Sequence, residues 1–245
     1  MIQFNNCEKC INGYLFTEGE ARKCQCRINW EKQIKIQDKL QKANLSLDTK
    51  GHTLDNYKGA DRNSNIKKLT KFVNNFTKAP FCNLHQYWYG EQGTQKSFTA
   101  KTICLEIIKQ HNCSCFYTFA KDLVALIIGS ERDEEKQKQL EKIQNVDLLI
   151  IDEFQQDRMA LYSSGYKQNI LTPWIKQRLE VIKKSTIFLS NDNIEELKQS
   201  ELGELLGDVI DRETKFAQFI FTDKYMLQKE AQEQLKQQLS SLWED

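Results

Sequence analysis

Residues 87–98 read Tyr-Trp-Tyr-Gly-Glu-Gln-Gly-Thr-Gln-Lys-Ser-Phe. The apolar and aromatic residues 84–89 before the glycines are typical of a buried strand. From Lys96 onward, apolar side chains recur at helical spacing through Ile108. A strand, a glycine-bearing loop and a helix in this order are the setting of a phosphate-binding loop.

The loop departs from the template G-x-x-x-x-G-K-[ST] at one position. Gly90, Lys96 and Ser97 fit the template, whereas Gln95 replaces the second glycine. Lys96 would reach the β- and γ-phosphates of ATP, and the Ser97 hydroxyl would bind Mg²⁺. The alternative is an ordinary turn before a helix. The residues expected around the phosphates are Gly90, Gly93, Thr94, Gln95, Lys96, Ser97 and Phe98.

A second stretch supports the nucleotide interpretation. Residues 146–153 read Val-Asp-Leu-Leu-Ile-Ile-Asp-Glu, an apolar strand that ends in two carboxylates. In buried parallel sheets, ligands bind at the carboxyl ends of the strands. We therefore expect Asp152 to hold Mg²⁺ and Glu153 to polarise an attacking water, although the two acids could merely cap the next element. Both stretches together predict a nucleoside triphosphatase with an α/β, three-layer P-loop sheet.

Four of the eight cysteines fall within the first 26 residues. Cys7-x-x-Cys10 and Cys24-x-Cys26 supply two pairs of thiolates, and the intervening Asn12-Gly13 suits a hairpin turn. Such a set predicts a structural Zn²⁺ site; an iron–sulfur cluster and unligated thiols are the alternatives. The remaining cysteines are expected to pack as small apolar side chains, and they are Cys82, Cys104, Cys113 and Cys115.

Composition sets limits on partners and compartment. Of the 245 residues, 40% are hydrophobic and 28% are charged, with a net charge of +1. This balance is typical of a soluble globular protein and argues against a strong overall attraction to nucleic acid. The sequence shows neither a membrane span nor a signal peptide, so we expect a cytoplasmic protein without a membrane partner.

The order of the motifs resembles a known family. Leu54-Asp-Asn-Tyr-Lys-Gly59, a helix ending in Phe-Val-x-x-Phe, the loop and the acidic strand are similar to the DnaC/DnaI-type helicase loaders. These are AAA+ ATPases related to DnaA and to the IstB transposition ATPases. The resemblance implies an ATPase core without a C-terminal lid domain. It also implies slow ATP hydrolysis and a chain that a phage or mobile element could encode.

Three site residues follow from this resemblance. Tyr57 corresponds to a segment near the adenine, and the alternative is a buried tyrosine. Asn191 stands at the sensor 1 position, which orients the attacking water; otherwise the Asn-Asp-Asn run would cap the next helix. Arg212 corresponds to the arginine that reaches a neighbouring subunit's γ-phosphate. A salt bridge with Asp208 or Asp211 is its competing use.

Arg178 is a weaker second candidate for the arginine that acts across the subunit boundary. Residues 131–145 form a charged helical stretch, which favours a solvated face over a contact with DNA or a neighbouring subunit.

The resemblance also suggests how the chain is divided and what it binds. We expect a zinc-binding knuckle at residues 1–27, a helical linker arm at 28–50, an AAA+ core at 51–223 and a C-terminal helix at 224–245. The arm is either a spacer or a docking surface. The expected partners are a DnaB-type replicative helicase bound through the arm, single-stranded DNA, and further copies of the chain assembled on the helicase.

The leading hypothesis is an ATP-dependent loader of that helicase onto single-stranded DNA during replication initiation. One alternative is an IstB-like transposition ATPase that remodels duplex DNA. Another is an adaptor that binds ATP with little hydrolysis, suggested by Gln95 in the loop.

Overall fold

The computed structural model of the chain describes residues 7–17, 20–45, 53–57, 62–155, 164–200 and 203–222. Within these, helices and strands alternate along most of the chain. In chain order they are β1 (Tyr14–Thr17), β2 (Glu20–Lys23), α1 (Gln25–Lys42), α2 (Arg62–Asn74), β3 (Gln86–Tyr89), α3 (Lys96–His111), β4 (Cys115–Phe119), α4 (Ala120–Ser130), α5 (Glu134–Gln144), β5 (Leu148–Asp152), α6 (Ser164–Lys176), β6 (Thr186–Ser190), α7 (Ile194–Gln199), α8 (Glu204–Thr214) and β7 (Gln218–Ile220).

The core is a five-stranded parallel sheet in the order β4-β5-β6-β3-β7. All residues of β5 are buried, because helices cover both of its faces. One face packs against α1, α2 and α3, and the other packs against α4, α6 and α8. The predicted three-layer α/β fold is therefore confirmed.

Parallel pairing brings the ends of distant segments to one edge of the sheet. β3 lies between β6 and β7, and β5 lies beside β6. The residues that follow these strands therefore lie together at the carboxyl edge. The phosphate-binding loop follows β3, the acidic pair ends β5, and Asn191 follows β6.

The N-terminal segment is a small hairpin followed by a long helix. Asn12 and Gly13 both have positive φ, 48° and 80°. Ile11 and Tyr14 exchange backbone hydrogen bonds around them, so the predicted turn is present. Helix α1 starts within the cysteine cluster, because Cys24 is its N-cap residue.

The second half of α1 is more than a spacer. Ile36 and Ala43 are buried in the core formed with α3 and β4. The Tyr117 backbone amide of β4 donates to the Ala43 carbonyl at 3.0 Å, and the Asn44 side-chain Nδ2 donates to the Tyr117 carbonyl at 2.9 Å. The end of the arm thereby hydrogen-bonds to the outer side of β4, the outermost strand of the sheet.

Two expectations concern the remaining parts of the chain. The predicted C-terminal helix, residues 224–245, lies outside the described residues. Among the helices that are described, none is both long and apolar enough to span a membrane.

Candidate nucleotide and metal sites

The phosphate-binding loop folds closely around its own backbone. Gly90 has φ +146°, and a Cβ there would lie 2.0 Å from the Phe221 carbonyl oxygen. Only glycine fits at that position. Gly93 has φ +89°. Gln95 adopts the left-handed conformation at φ 66°, the geometry for which the template uses its second glycine.

Lys96 turns its ammonium group back into this loop. Its Nζ donates to the carbonyl oxygens of Gly90 at 2.5 Å and Glu91 at 2.9 Å. The Thr94 hydroxyl lies 3.3 Å and the Asn191 Oδ1 3.2 Å from the same nitrogen. Burial lowers the pKa of Lys96 to about 8, although the Asp152 carboxylate opposes the shift. These oxygens mark where phosphate oxygens would bind the same cation.

The acidic pair at the end of β5 is held in a defined geometry. Asp152 is buried, and its Oδ1 accepts a hydrogen bond from the Glu153 amide at 2.7 Å. Its Oδ2 accepts a hydrogen bond from the Tyr117 hydroxyl of β4. Glu153 has a positive φ of 53°, and its side chain is half-buried.

The Asn191 side chain can contact Lys96 because a different residue, Asn193, caps α7. Asn193 accepts hydrogen bonds from the Glu195 and Glu196 amides, and Glu196 completes the capping box. Asn191 Oδ1 instead contacts Lys96. Its backbone amide donates to the side chain of Gln155 at 3.0 Å.

Sequence reasoning missed two residues of this site. Gln155 lies two positions after the acidic pair, on an apolar-to-polar boundary that gives little signal. Tyr117 sits in an aromatic strand, where a tyrosine is hard to distinguish from core packing.

The residues present fit a nucleotide with Mg²⁺. A buried ammonium, a helix N-terminus and a glycine-bearing turn favour polyphosphate. The Ser97 hydroxyl and the Asp152 carboxylate supply the hard oxygen ligands that Mg²⁺ prefers. The bound metal would neutralise phosphate charge, and Glu153 and Asn191 lie at the same edge of the sheet.

Solved structures share this arrangement of strands and helices. A crystal structure of the DnaC helicase loader matches with a TM-score of 0.59 and 20% identity, over 73% of this chain and 100% of that one. A crystal structure of DnaI gives 0.57 and 17%, over 74% and 93%. The chain therefore shares the fold of the DnaC helicase loader and of DnaI.

The replication initiator DnaA is also similar. Its structure bound to AMPPCP and single-stranded DNA matches with a TM-score of 0.56 and 17% identity, over 77% of this chain and 55% of that one. No family model matches the sequence. No curated protein matches it either.

Tyr57 lies behind the loop in this DnaC-type fold. Its ring is buried and makes an edge contact with Phe221, at 6.0 Å between ring centroids. Phe221 is the residue whose carbonyl meets Gly90. The burial favours a packing role, and contact with an adenine base stays a prediction.

Arg212 lies near the end of α8, on the exposed surface. Its guanidinium pairs with Glu180 and with Glu213, the latter at 3.1 Å. The expected alternative, a salt bridge of Arg212 with Asp208 or Asp211, was wrong. These two carboxylates instead pair with Lys198, at 3.4 and 2.7 Å. Since α8 leads into the start of β7, this end of the helix lies at the edge opposite the phosphate-binding loop.

The hypothesis that Arg178 could act across a subunit boundary was wrong. The helix α6 continues as a π-helical segment, Gln177–Ile182, which directs Arg178 into the core. The side chain is fully buried. It donates to the carbonyls of Gln144, Val146 and Ser185 and to the Thr186 hydroxyl. An arginine enclosed in this way cannot reach a neighbouring subunit.

The four N-terminal cysteines form one cluster. Their Sγ atoms all lie within 4.8 Å of one another. Neighbouring sulfurs are 3.5 Å apart for Cys7 and Cys10, 3.5 Å for Cys7 and Cys24, and 3.3 Å for Cys10 and Cys26. Tetrahedral zinc thiolates have sulfurs about 3.8 Å apart, which is close to these three distances.

The other four cysteines do not form such a cluster. Cys104 and Cys115 are buried in the core, where Cys113 also packs. Cys82 is half-buried near the start of the sheet. This agrees with the prediction of apolar packing for Cys104, Cys113 and Cys115, and for Cys82 it stays a prediction.

Proposed function

We propose that the protein is a Mg²⁺-dependent ATPase that loads a DnaB-type replicative helicase onto single-stranded DNA. The main support is that the fold matches 100% of the DnaC helicase loader chain. In addition, the predicted site residues lie together at the carboxyl edge of the sheet. At that edge Lys96, Asp152, Glu153 and Asn191 come from three separate strand ends. A chain with a merely structural P-loop fold would not need this combination.

ATP and Mg²⁺ are the proposed cofactors of this edge. Lys96 would exchange its carbonyl partners for phosphate oxygens, and Ser97 and Asp152 would bind the metal. Asn191 and Glu153 would orient the water that attacks the γ-phosphate. Arg212, which lies at the opposite edge of its own sheet, would act on the site of a neighbouring copy. Hydrolysis would therefore be slow in an isolated subunit.

The N-terminal module, residues 7–45, is the proposed helicase-binding part. Zinc bound by Cys7, Cys10, Cys24 and Cys26 would stabilise a hairpin that has little core of its own. Ile11 and Phe16 of this hairpin are 69% and 64% exposed, so the small module presents two large apolar side chains to solvent. Such residues suit capture of a protein partner.

The test measures retention of a replicative helicase on the immobilised protein, with and without ATP. Deleting residues 1–50 is unsuitable, because it would remove Ile36 and Ala43 from the core. The variant is therefore the full chain carrying Ile11→Ser and Phe16→Ser. Val181→Ser, at an equally exposed apolar residue, is the matched control.

We expect wild type and the control to retain the helicase and the double variant to lose most of it. Failure of wild type to retain helicase in any nucleotide state would contradict the loader function. If wild type then bound duplex DNA, the IstB-like alternative would replace it.

The ATP-binding adaptor is a second candidate because Gln95 occupies a glycine position of the loop. Comparing wild type with Glu153→Gln separates the two. A loader ATPase should lose turnover about 100-fold in the variant while it still binds ATP. An adaptor would show equally low turnover in both proteins.

A further inference from the structure

The Tyr117 hydroxyl joins the two predicted magnesium ligands. It donates a hydrogen bond to Oδ2 of Asp152, and the Ser97 hydroxyl is a further hydrogen-bond partner. Tyr117 comes from β4, a strand that carries no other residue of the predicted site. The tyrosine thus links the start of α3 with the end of β5.

The direction of these hydrogen bonds is set by the charge of the site. The Tyr117 hydroxyl lies against the Asp152 carboxylate, and a phenol carries its proton at neutral pH. A carboxylate can only accept, and therefore Tyr117 must donate to Asp152. Its oxygen can then accept from Ser97. This leaves the lone pairs of the Ser97 hydroxyl free for a metal.

Asp152 is restrained at both carboxylate oxygens. Oδ2 accepts from Tyr117, and Oδ1 accepts from the Glu153 amide at 2.7 Å. Each oxygen keeps a second acceptor position. A carboxylate held at both oxygens cannot rotate away from the metal position.

Tyr117 is itself fixed from several directions. Its backbone pairs with β5 on one side and with Ala43 and Asn44 at the end of α1 on the other. The ammonium of Lys101 lies 5.3 Å from the centre of its ring. The hydroxyl therefore has one well-defined place.

We propose that Tyr117 is a positioning residue for the magnesium ion of bound MgATP, acting through Ser97 and Asp152. This inference rests on the proposed ATP binding. Hydrogen-bonded groups behind metal ligands typically affect metal affinity by about 10- to 100-fold. Because the hydroxyl would act through the metal ligands and not through Lys96, binding of metal-free ATP should not depend on it.

The test compares wild type with Tyr117→Phe, which removes only the hydroxyl. Calorimetry would measure the affinity for ATP in EDTA and then at increasing Mg²⁺. The matched control is Tyr87→Phe, because the buried Tyr87 hydroxyl donates to the Asp192 carbonyl at 2.8 Å instead. Thermal unfolding of each variant would report on the fold.

We expect Tyr117→Phe to need about tenfold more Mg²⁺ for half of the metal-dependent gain in affinity. Its affinity in EDTA should match wild type, and the control should match wild type in both measurements. An unchanged Mg²⁺ requirement in Tyr117→Phe, or an equal loss in EDTA, would overturn this inference alone. If wild type bound no ATP under any condition, the proposed function would fail as well.

Discussion

Lys96 and Arg178 are two buried cations at opposite edges of the same sheet, and both bind backbone carbonyls. The partners of Lys96 lie in the phosphate-binding loop and, for Asn191, just after β6, and Gly90, Glu91 and Asn191 are partly or fully exposed residues. The partners of Arg178 come from three segments that the core fixes, and the side chain is fully buried.

The difference indicates which cation can change partners. Phosphate oxygens could replace the loop carbonyls around Lys96 without exposing any core residue. Nothing could replace the carbonyls around Arg178 unless the strands β5 and β6 separated from the π-helical segment. We infer that Arg178 stabilises the fold, whereas Lys96 can exchange its present partners for those of a ligand.

The largest expected effect is the loss of stability when the structural cation, Arg178, is replaced. Arg178→Met should reduce the free energy of unfolding by about 4 kcal/mol, because several buried carbonyls would lose their donor. Chemical denaturation would measure it. Arg178→Lys should recover only part of the loss, since an ammonium has fewer donors. A change in the free energy of unfolding below about 1 kcal/mol would contradict the inference that Arg178 is a structural cation.

A pH dependence should distinguish the ligand-binding cation. The pKa of Lys96 is about 8 in the structure, and bound phosphates would raise it. Above pH 8, the free protein would lose this proton while the complex kept it. Binding would then take up a proton, and ATP affinity should fall by up to about tenfold per pH unit.

Calorimetry at pH 8 to 9.5, in buffers of different ionisation enthalpy, would detect the proton uptake. The matched control is Lys96→Arg, which stays charged throughout this range. Equal slopes in the two proteins would assign the effect to another group.

The smallest expected effect concerns Gln95 in the loop. It adopts a left-handed conformation, and its buried Nε2 finds no hydrogen-bond partner among the described residues. Gln95→Gly should therefore raise the free energy of unfolding by about 1 kcal/mol. Denaturation would measure this change. A destabilised variant would indicate that the glutamine side chain supports the loop.

Much of the fold could be predicted because its signals are local. The apolar run before the glycines and the one before Asp152 each produced a buried parallel strand. The spacing of the four cysteines similarly indicated one cluster. In each case the pattern is carried by residues close together in sequence.

The features that sequence missed depend on tertiary contacts. The periodicity around Arg178 is that of an ordinary helix, and the π-helical turn that buries its side chain leaves no separate pattern. The same is true of Tyr117, whose role depends on Asp152, 35 residues away. The two asparagines after β6 could not be told apart until Asn193 was seen to cap α7.

The most direct test of the account is to bind MgATP to Lys96→Ala and to measure its unfolding free energy. We expect affinity to fall about 100-fold, because a charged contact to phosphate is lost, while stability stays close to wild type. Lys109→Ala, in the last turn of the same helix, should change neither quantity. Unchanged affinity with a large loss of stability would contradict the account, since Lys96 would then be a structural cation like Arg178.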